Sequence, residues 1–459
     1  MKFEYIISGV SMFRLHRQEI AKKPELCELI LNFFKKFNDY YMNNNISLLY
    51  NAFTESDYKD VLNKFNVPLY LDSGGLQMIT LKKQKVDDQA KNKIYEAQSS
   101  GGDYAMCFDE IPLYIDDNKR GNSARTDMSG KYVIGEEMYD KGVLTGKNIS
   151  NQIKYFIKQK SKAKTYIILQ GNSFDDWMNF SDGVFSQLQE SDYDYVHGLA
   201  IADTCLGNGC LEMADMLSII PFLKCPDSVK KNIHLLGVGS INRLLPAIIM
   251  VQSGYLDSET SFTYDSTSLS SSHIYGRYYD SNDNTIDYIK LQHKNSLKTD
   301  KNNDLSVIFE IKSIMNDIKY NAKKIGWDQL YDFNDLFETI FIESTRKSFN
   351  SIIDMKKDYF DHLIVFHLIY TLSQIVNFTE KLRSMFDKQK RDEHIEKYKK
   401  LIALRELENV NNYKTYQKWK NQAIRTGRIQ SNRIKRVDTN KDIKGKKYDN
   451  PLEEILYNE

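Results

Sequence analysis

The chain has 459 residues, and its 63 Lys and Arg against 62 Asp and Glu leave a formal charge of +1. That length holds one large domain of roughly 250 to 300 residues and a second, smaller one. Five cysteines, none beyond Cys225, form no regular framework, which excludes a disulfide scaffold and suits free thiols in a reducing cytosol. The opening Met1-Lys2-Phe3-Glu4-Tyr5 carries no signal-peptide pattern. No run of about 18 apolar residues occurs. The best candidate, Leu363 to Val376, is interrupted by His367, Ser373 and Gln374 and reads as a buried helix rather than a membrane span. A cytoplasmic protein is expected. Abundant Lys, Asn, Ile and Tyr with only 7 prolines suit an A+T-rich genome such as a phage's, for which the place would be the host cytoplasm.

From residue 1 to about 280, short apolar strands alternate with amphipathic helices. The predicted strands are Phe3 to Ile7, Ser47 to Tyr50, Pro68 to Leu71, Tyr104 to Phe108, Thr165 to Leu169, Tyr195 to Leu199, Ile233 to Leu236 and Phe262 to Tyr264. Helical periodicity lies between them at Val86 to Gln98, Ile149 to Gln159, Phe174 to Gln189, Leu211 to Ile220 and Ile241 to Val251. Eight such strands with intervening helices predict an α/β fold, a parallel (β/α)8 TIM barrel over residues 1–290. No internal repeat is visible.

In that fold the strand ends carry the chemistry, and they share a character. The third strand ends on Asp72-Ser73-Gly74-Gly75-Leu76-Gln77, an acid followed by a sharp turn. Asp109-Glu110-Ile111-Pro112 follows the fourth strand and Gln170-Gly171-Asn172 the fifth. His197-Gly198-Leu199-Ala200 marks the sixth, Gly237-Val238-Gly239 the seventh and Asp265-Ser266-Thr267-Ser268 the eighth. Each alone has a plain reading: Asp72 and Asp265 as turn residues, Asp109 in a solvated loop, Gln170 as a strand cap. His197 reads as a core-edge histidine, and Cys107, Cys205, Cys210 and Cys225 as small buried residues rather than metal ligands. Six polar or glycine-exposed ends on one rim exceed what a purely structural barrel requires.

These ends resemble the guanine transglycosylases, whose tRNA-modifying members exchange guanine for a 7-deazaguanine. Motifs of the form Asp-Ser-Gly-Gly-aromatic-Gln, Phe-Asp-Glu, Gln-Gly, Gly-Leu-Ala and Gly-Val-Gly are matched by Asp72 to Gln77, Phe108 to Glu110, Gln170-Gly171, Gly198 to Ala200 and Gly237 to Gly239, with Leu76 replacing the aromatic. The resemblance covers roughly residues 65–280. It implies Asp265 as nucleophile and Asp72 as general acid and base, because base exchange with retained configuration needs two displacements and hence two acids. It further implies a base site of Ser73, Gly74, Gln77, Asp109, Gln170, Gly171, Gly198 and Leu199. There Asp109 would accept from guanine N1 and its exocyclic amine, and Gln170 with the Gly198 amide would donate to O6. No cofactor and no metal are implied.

Two departures separate the chain from the tRNA-modifying members. With no cysteine after Cys225, the three closely spaced cysteines of their zinc site have no counterpart. After Asp265, a Ser-rich stretch with the lone Arg277 replaces their arginine-bearing segment. Residues 291–412 read as a helical domain, with helices at Leu305 to Ile318, Phe333 to Phe349, Tyr359 to Phe386 and Asp392 to Val410 after a polar linker, Ser281 to Asp304. Residues 413–459 form a basic tail; its stretch from Tyr413 to Lys447 carries twelve Lys and Arg against two Asp, a local +10 that leaves −9 for all other residues. It reads either as a solvated terminus or as a phosphate-binding arm in which Lys418, Arg425, Arg428, Arg433, Lys435 and Arg436 join Arg277. The expectation is a DNA-guanine transglycosylase that inserts a 7-deazaguanine such as 7-cyano-7-deazaguanine. A tRNA enzyme and a non-catalytic nucleic-acid-binding homologue stand as alternatives.

Overall fold

The computed structural model describes residues 2–8, 20–41, 46–52, 63–74, 86–112, 136–171, 174–202, 213, 216–239, 241–266, 269, 272, 277–282, 285–287, 303–333, 360–386 and 388–398. Eight strands form a closed, all-parallel barrel in sequence order: β1 (Lys2–Ser8), β2 (Ser47–Asn51), β3 (Leu69–Asp72), β4 (Tyr104–Met106), β5 (Lys164–Leu169), β6 (Val196–Ile201), β7 (Asn232–Leu235) and β8 (Ser261–Asp265). The seam closes where β1 pairs with β8 from Lys2↔Ser261 to Ile6↔Asp265. The longer crossover helices among the described residues are α1 (Pro24–Tyr40), α2 (Asp88–Ser99), α3 (Glu136–Gln159), α4 (Phe174–Phe185) and α5 (Ile241–Gln252), and a single helical turn, Asp227–Lys230, precedes β7. Local chemistry sets their starts: Pro24 occupies the first turn of α1, and the Asp87 carboxylate accepts from the Ala90 amide to cap α2.

The strands read as near-continuous apolar runs because helices cover the outer face and side chains fill the interior. β2 is buried along its whole length and β5 from its second residue on. The lower interior is polar and aromatic. The rings of Tyr70, Tyr166 and His234 lie within 6.0 Å of one another, and Tyr104 and His197 pack beside them. His197 is a packed interior residue, and burial first, then the Lys164 ammonium, pulls its pKa down to about 4.

One strand end departs from expectation. Tyr195 belongs to a 3-10 turn, Glu190–Tyr195, closed by a reciprocal Gln189 and Asp192 cap, so β6 starts at Val196 and continues through Ala200 and Ile201. His197-Gly198-Leu199-Ala200 therefore lie in the body of the strand, with Gly198 in register with Tyr166 and the rim reached at Ala202. All eight strands match their predicted positions within about two residues, β4 ending two residues early and β6 two late.

After β8 come a small hairpin, β9 (Arg277–Tyr279) and β10 (Thr285–Asp287), and two long helices, α6 (Asn303–Ile325) and α7 (Phe360–Met385). These helices share the barrel's buried cluster. Phe386 packs on Phe3, which stacks on Phe262, and Phe378 packs on Tyr264, so this segment covers the β1/β8 seam. Each fully buried aromatic there contributes on the order of 2–3 kcal/mol of transfer free energy. Tyr278 hydrogen-bonds Asp317 and Ser373 (2.7 and 2.8 Å), and Asn377 donates to Asp317 (2.7 Å), which locks the hairpin to both helices. α7 is long and apolar enough to cross a membrane by composition, but 94% of its apolar window is buried inside the protein. Helical residues at 391–398 agree with the start of the Asp392 to Val410 reading. Residues 334–349 of the Phe333 to Phe349 reading, most of the linker, the first part of Leu211 to Ile220, and everything after 398, including the basic tail, lie outside the described residues.

Candidate active site

Four of the side chains expected at the rim lie together. Asp72 is the last residue of β3 and Asp265 the last of β8; Asp109 stands three residues past β4, and Gln170 directly follows β5. Asp72 as a residue is half-buried at the mouth, while its carboxyl is enclosed by protein. Burial raises its pKa to about 7, helped by the charges of Asp109 and Asp265 and opposed by the backbone N–H groups of Gly74 and Ser73. A carboxyl poised there exchanges protons readily near neutral pH, as a general acid and base requires. Asp265 is likewise held by a backbone donor: the Gly237 N–H reaches its Oδ1 at 2.9 Å. Gly237 makes this contact from φ +71°, the left-handed region that favours glycine.

Asp109 and Gln170 form the second element. Gln170 Nε2 donates to Asp109 Oδ2 at 2.5 Å, and both residues are buried. Burial raises the Asp109 pKa to about 6, against the Gln170 hydrogen bond. A carboxylate beside an amide N–H presents two acceptors and a donor, the complement of the N1–H, exocyclic amine and O6 edge of guanine. The neighbouring acid has another job. The Glu110 carboxylate accepts from Lys91 Nζ (2.9 Å) and Asn148 Nδ2 (3.2 Å), and the Glu110 N–H donates to Thr145 Oγ1 (2.9 Å). Burial pushes the Glu110 carboxyl up, but the Lys91 and Asn148 contacts outweigh it, and its pKa ends below the usual value. Asn148 also donates to the Phe108 carbonyl (3.2 Å), so Asp109 is clamped from both sides.

A buried amide chain supports the ends of β3 and β4 from outside the barrel. Gln98 of α2 donates to the carbonyls of Leu71 (3.2 Å) and Met106 (2.8 Å), and Gln152 of α3 donates to Gln98 Oε1 (2.7 Å). These contacts satisfy backbone carbonyls that otherwise lie buried where the strands stop.

The remaining expected residues divide. Ser73 and Gly74 are buried beside Asp72. Gly74 holds φ +69°, and a Cβ there would fall 2.5 Å from Asn51 Oδ1, so the Asn51 amide at the end of β2 joins this corner. Gly171 carries the ring of Trp177, which a Cβ would strike at 2.5 Å, a packing role at the rim. Gly198 and Leu199 are not brought to the four polar groups: Gly198 sits three residues before the end of β6, and a Cβ there would meet the Asn232 carbonyl at 2.1 Å. Its glycine identity follows from the close approach of β7. Arg277 is exposed on β9. Gln77, Lys418, Arg425, Arg428, Arg433, Lys435 and Arg436 lie outside the described residues. Cys107 is a buried thiol that accepts from the Ile168 N–H (3.1 Å); Cys225 is half-buried, and Cys205 and Cys210 lie outside the described residues. Among the described residues, no group of three or more His, Cys, Asp or Glu is arranged to hold a metal ion.

Sequence reasoning missed Asn51, the Gln98 and Gln152 chain, the Lys91 and Asn148 clamp, and His234. The available signal was a polar side chain in an otherwise apolar frame: Gln98 and Gln152 on the inner faces of their helices, His234 within the run Ile233 to Leu236. No protein-family model matches this sequence, and no curated protein matches it either.

Proposed function

We propose that this protein is a DNA-guanine transglycosylase, exchanging guanine in DNA for a 7-deazaguanine base by double displacement. The observation that carries the reading is one rim holding two carboxyls, Asp72 raised to about 7 and Asp265 fixed by the Gly237 N–H, beside the Asp109 and Gln170 pair. The motif order from Asp72 to Asp265 supports it through the resemblance to guanine transglycosylases.

In this mechanism Asp265 attacks C1′ as the C1′–N9 bond breaks and the electron pair leaves with the base. Protonated Asp72 returns a proton to the departing guanine. The incoming 7-deazaguanine then gives its N9 proton to Asp72, bonds to C1′ and displaces the Asp265 carboxylate, so the configuration is retained. Asp109 and Gln170 hold either base by the edge that guanine and 7-deazaguanine share. On a duplex the guanine must first leave the stack, at a cost of a few kcal/mol that backbone contacts offset. DNA is favoured over tRNA by the lack of cysteines after Cys225, the Ser-rich segment following Asp265 and the basic tail.

Labelled guanine supplied with duplex DNA, and separately with tRNA, tests the proposal. Incorporation into DNA alone is expected. Incorporation into tRNA alone would replace the substrate, free base without incorporation would make the protein a glycosidase, and no reaction at all would favour a binding homologue. Asp265→Ala should remove any protein–DNA adduct that survives denaturation, and an adduct that persists would mean another nucleophile.

A further inference from the structure

We propose that His234 is a positioning residue for Asp265: its Nε2–H, with the Gly237 N–H, holds Oδ1, so that Oδ2 is the atom that bonds to C1′. The inference rests on Asp265 being the nucleophile of the proposed exchange.

His234 is fully buried on β7, on the wall beside Asp265. Its Nδ1 lies 2.9 Å from Thr263 Oγ1, and its Nε2 lies 3.3 Å from Asp265 Oδ1. That Nε2 has no aligned hydrogen-bond partner, and a buried nitrogen left so is costly unless a partner comes into line. The nearest acceptor is the carboxylate that must turn toward a sugar carbon, and such contacts tighten when substrate binds.

The proton direction follows from the neighbours. The Thr263 hydroxyl meets His234 Nδ1. A hydroxyl can donate as well as accept: with Thr263 donating to Nδ1, the imidazole proton sits on Nε2, facing Asp265. The opposite order would aim a nitrogen lone pair at a carboxylate oxygen inside the barrel, a repulsive arrangement. The rings of Tyr70 and Tyr166, 6.0 and 5.9 Å away, keep the imidazole from turning.

Chemically, two donors on Oδ1 matter most when Asp265 departs. As the Oδ2–C1′ bond breaks in the second displacement, negative charge returns to the carboxylate, and its share on Oδ1 meets the Gly237 and His234 N–H groups. Removing one donor should therefore slow breakdown of the covalent intermediate more than its formation.

Nitrogen-resolved imidazole spectra of the wild type, with His234 assigned by its loss in His234→Phe, read the contact without substrate. A proton on Nε2 whose signal moves in Asp265→Asn is expected; a bare Nε2, or a signal indifferent to Asp265→Asn, overturns the inference. For turnover, His234→Phe and Thr263→Val should fall about tenfold while the steady-state adduct fraction rises several-fold, with Thr263→Ser restoring both. Lower turnover with an unchanged or smaller adduct fraction in the folded Thr263→Val protein would make His234 a packing residue only. If no base exchange occurs in any variant while Nε2 is protonated and coupled to Asp265, the transglycosylase reading fails and the assignment of the tied oxygen stands.

Discussion

The two ends of the barrel's interior are both polar, and they differ in how their polar groups are used. At the lower end, Tyr70, Tyr104, Tyr166 and His197 pack as tilted and edge-on rings. At the upper rim, Asp72 and Asp109 are acids whose pKa values burial raises to about 7 and about 6. Buried polarity alone does not mark a site. Retained proton and hydrogen-bonding capacity does, and the same contrast separates the neighbours Asp109 and Glu110, one poised and the other consumed by Lys91.

Substitutions at the rim should therefore act on chemistry, and those in the supporting contacts on stability. The largest effect is expected from Asp72→Asn, which should lower turnover by about a thousandfold and abolish the loss of the guanine-release step that wild type shows as pH rises above about 7. The same variant should be more stable at alkaline pH. The folded pKa of Asp72, about 7, exceeds its usual 3.8, so the folded state keeps a proton that the unfolded chain releases between these values, and stability falls as pH rises through that window. Permanently neutral Asp72→Asn should melt roughly 5 °C above wild type at pH 8 and level with it near pH 4, as differential scanning calorimetry would show. An unchanged difference across that range would mean that Asp72 titrates normally.

Asp109→Asn comes next, with an expected loss of about a hundredfold in affinity for free 7-deazaguanine by calorimetry, because an amide cannot present two acceptors to the N1–H and amine edge. Gly237→Ala should lower turnover about tenfold, since a Cβ at φ +71° costs roughly 1–2 kcal/mol and withdraws the N–H from Asp265. The smallest catalytic change should come from Lys91→Met. It leaves Glu110 without its cation and should cost about 1–2 kcal/mol of unfolding free energy in a denaturant titration, with turnover within about threefold of wild type. A larger fall in turnover than in stability would move Lys91 from the scaffold to the rim.

The barrel was legible because parallel strands buried on both faces are written as short apolar runs, and all eight run where alternation with helices places them. Asp72, Asp109, Gln170 and Asp265 were legible because each ends or follows such a run. β6 misled because its polar start, Tyr195, looks like strand sequence yet serves a capped turn, which moves the strand forward and buries Gly198 below the rim. The supporting contacts stayed hidden for a different reason. Gln98 and Gln152 pair across 54 positions, and Gly237 finds Asp265 across 28, partnerships that no local pattern encodes.

The covering of the β1/β8 seam has a consequence for biogenesis. Phe3 lies in the first strand of the barrel, yet its outer face rests on Phe386, more than 380 positions later, and Gln252 of α5 donates to the Met385 carbonyl at 3.0 Å. A nascent chain can lay down all eight strands and still leave a wet aromatic stripe along the join. Ribosome-bound intermediates stopped before residue 360 should thus recruit chaperones, and the finished barrel becomes self-sufficient only when its late helices arrive.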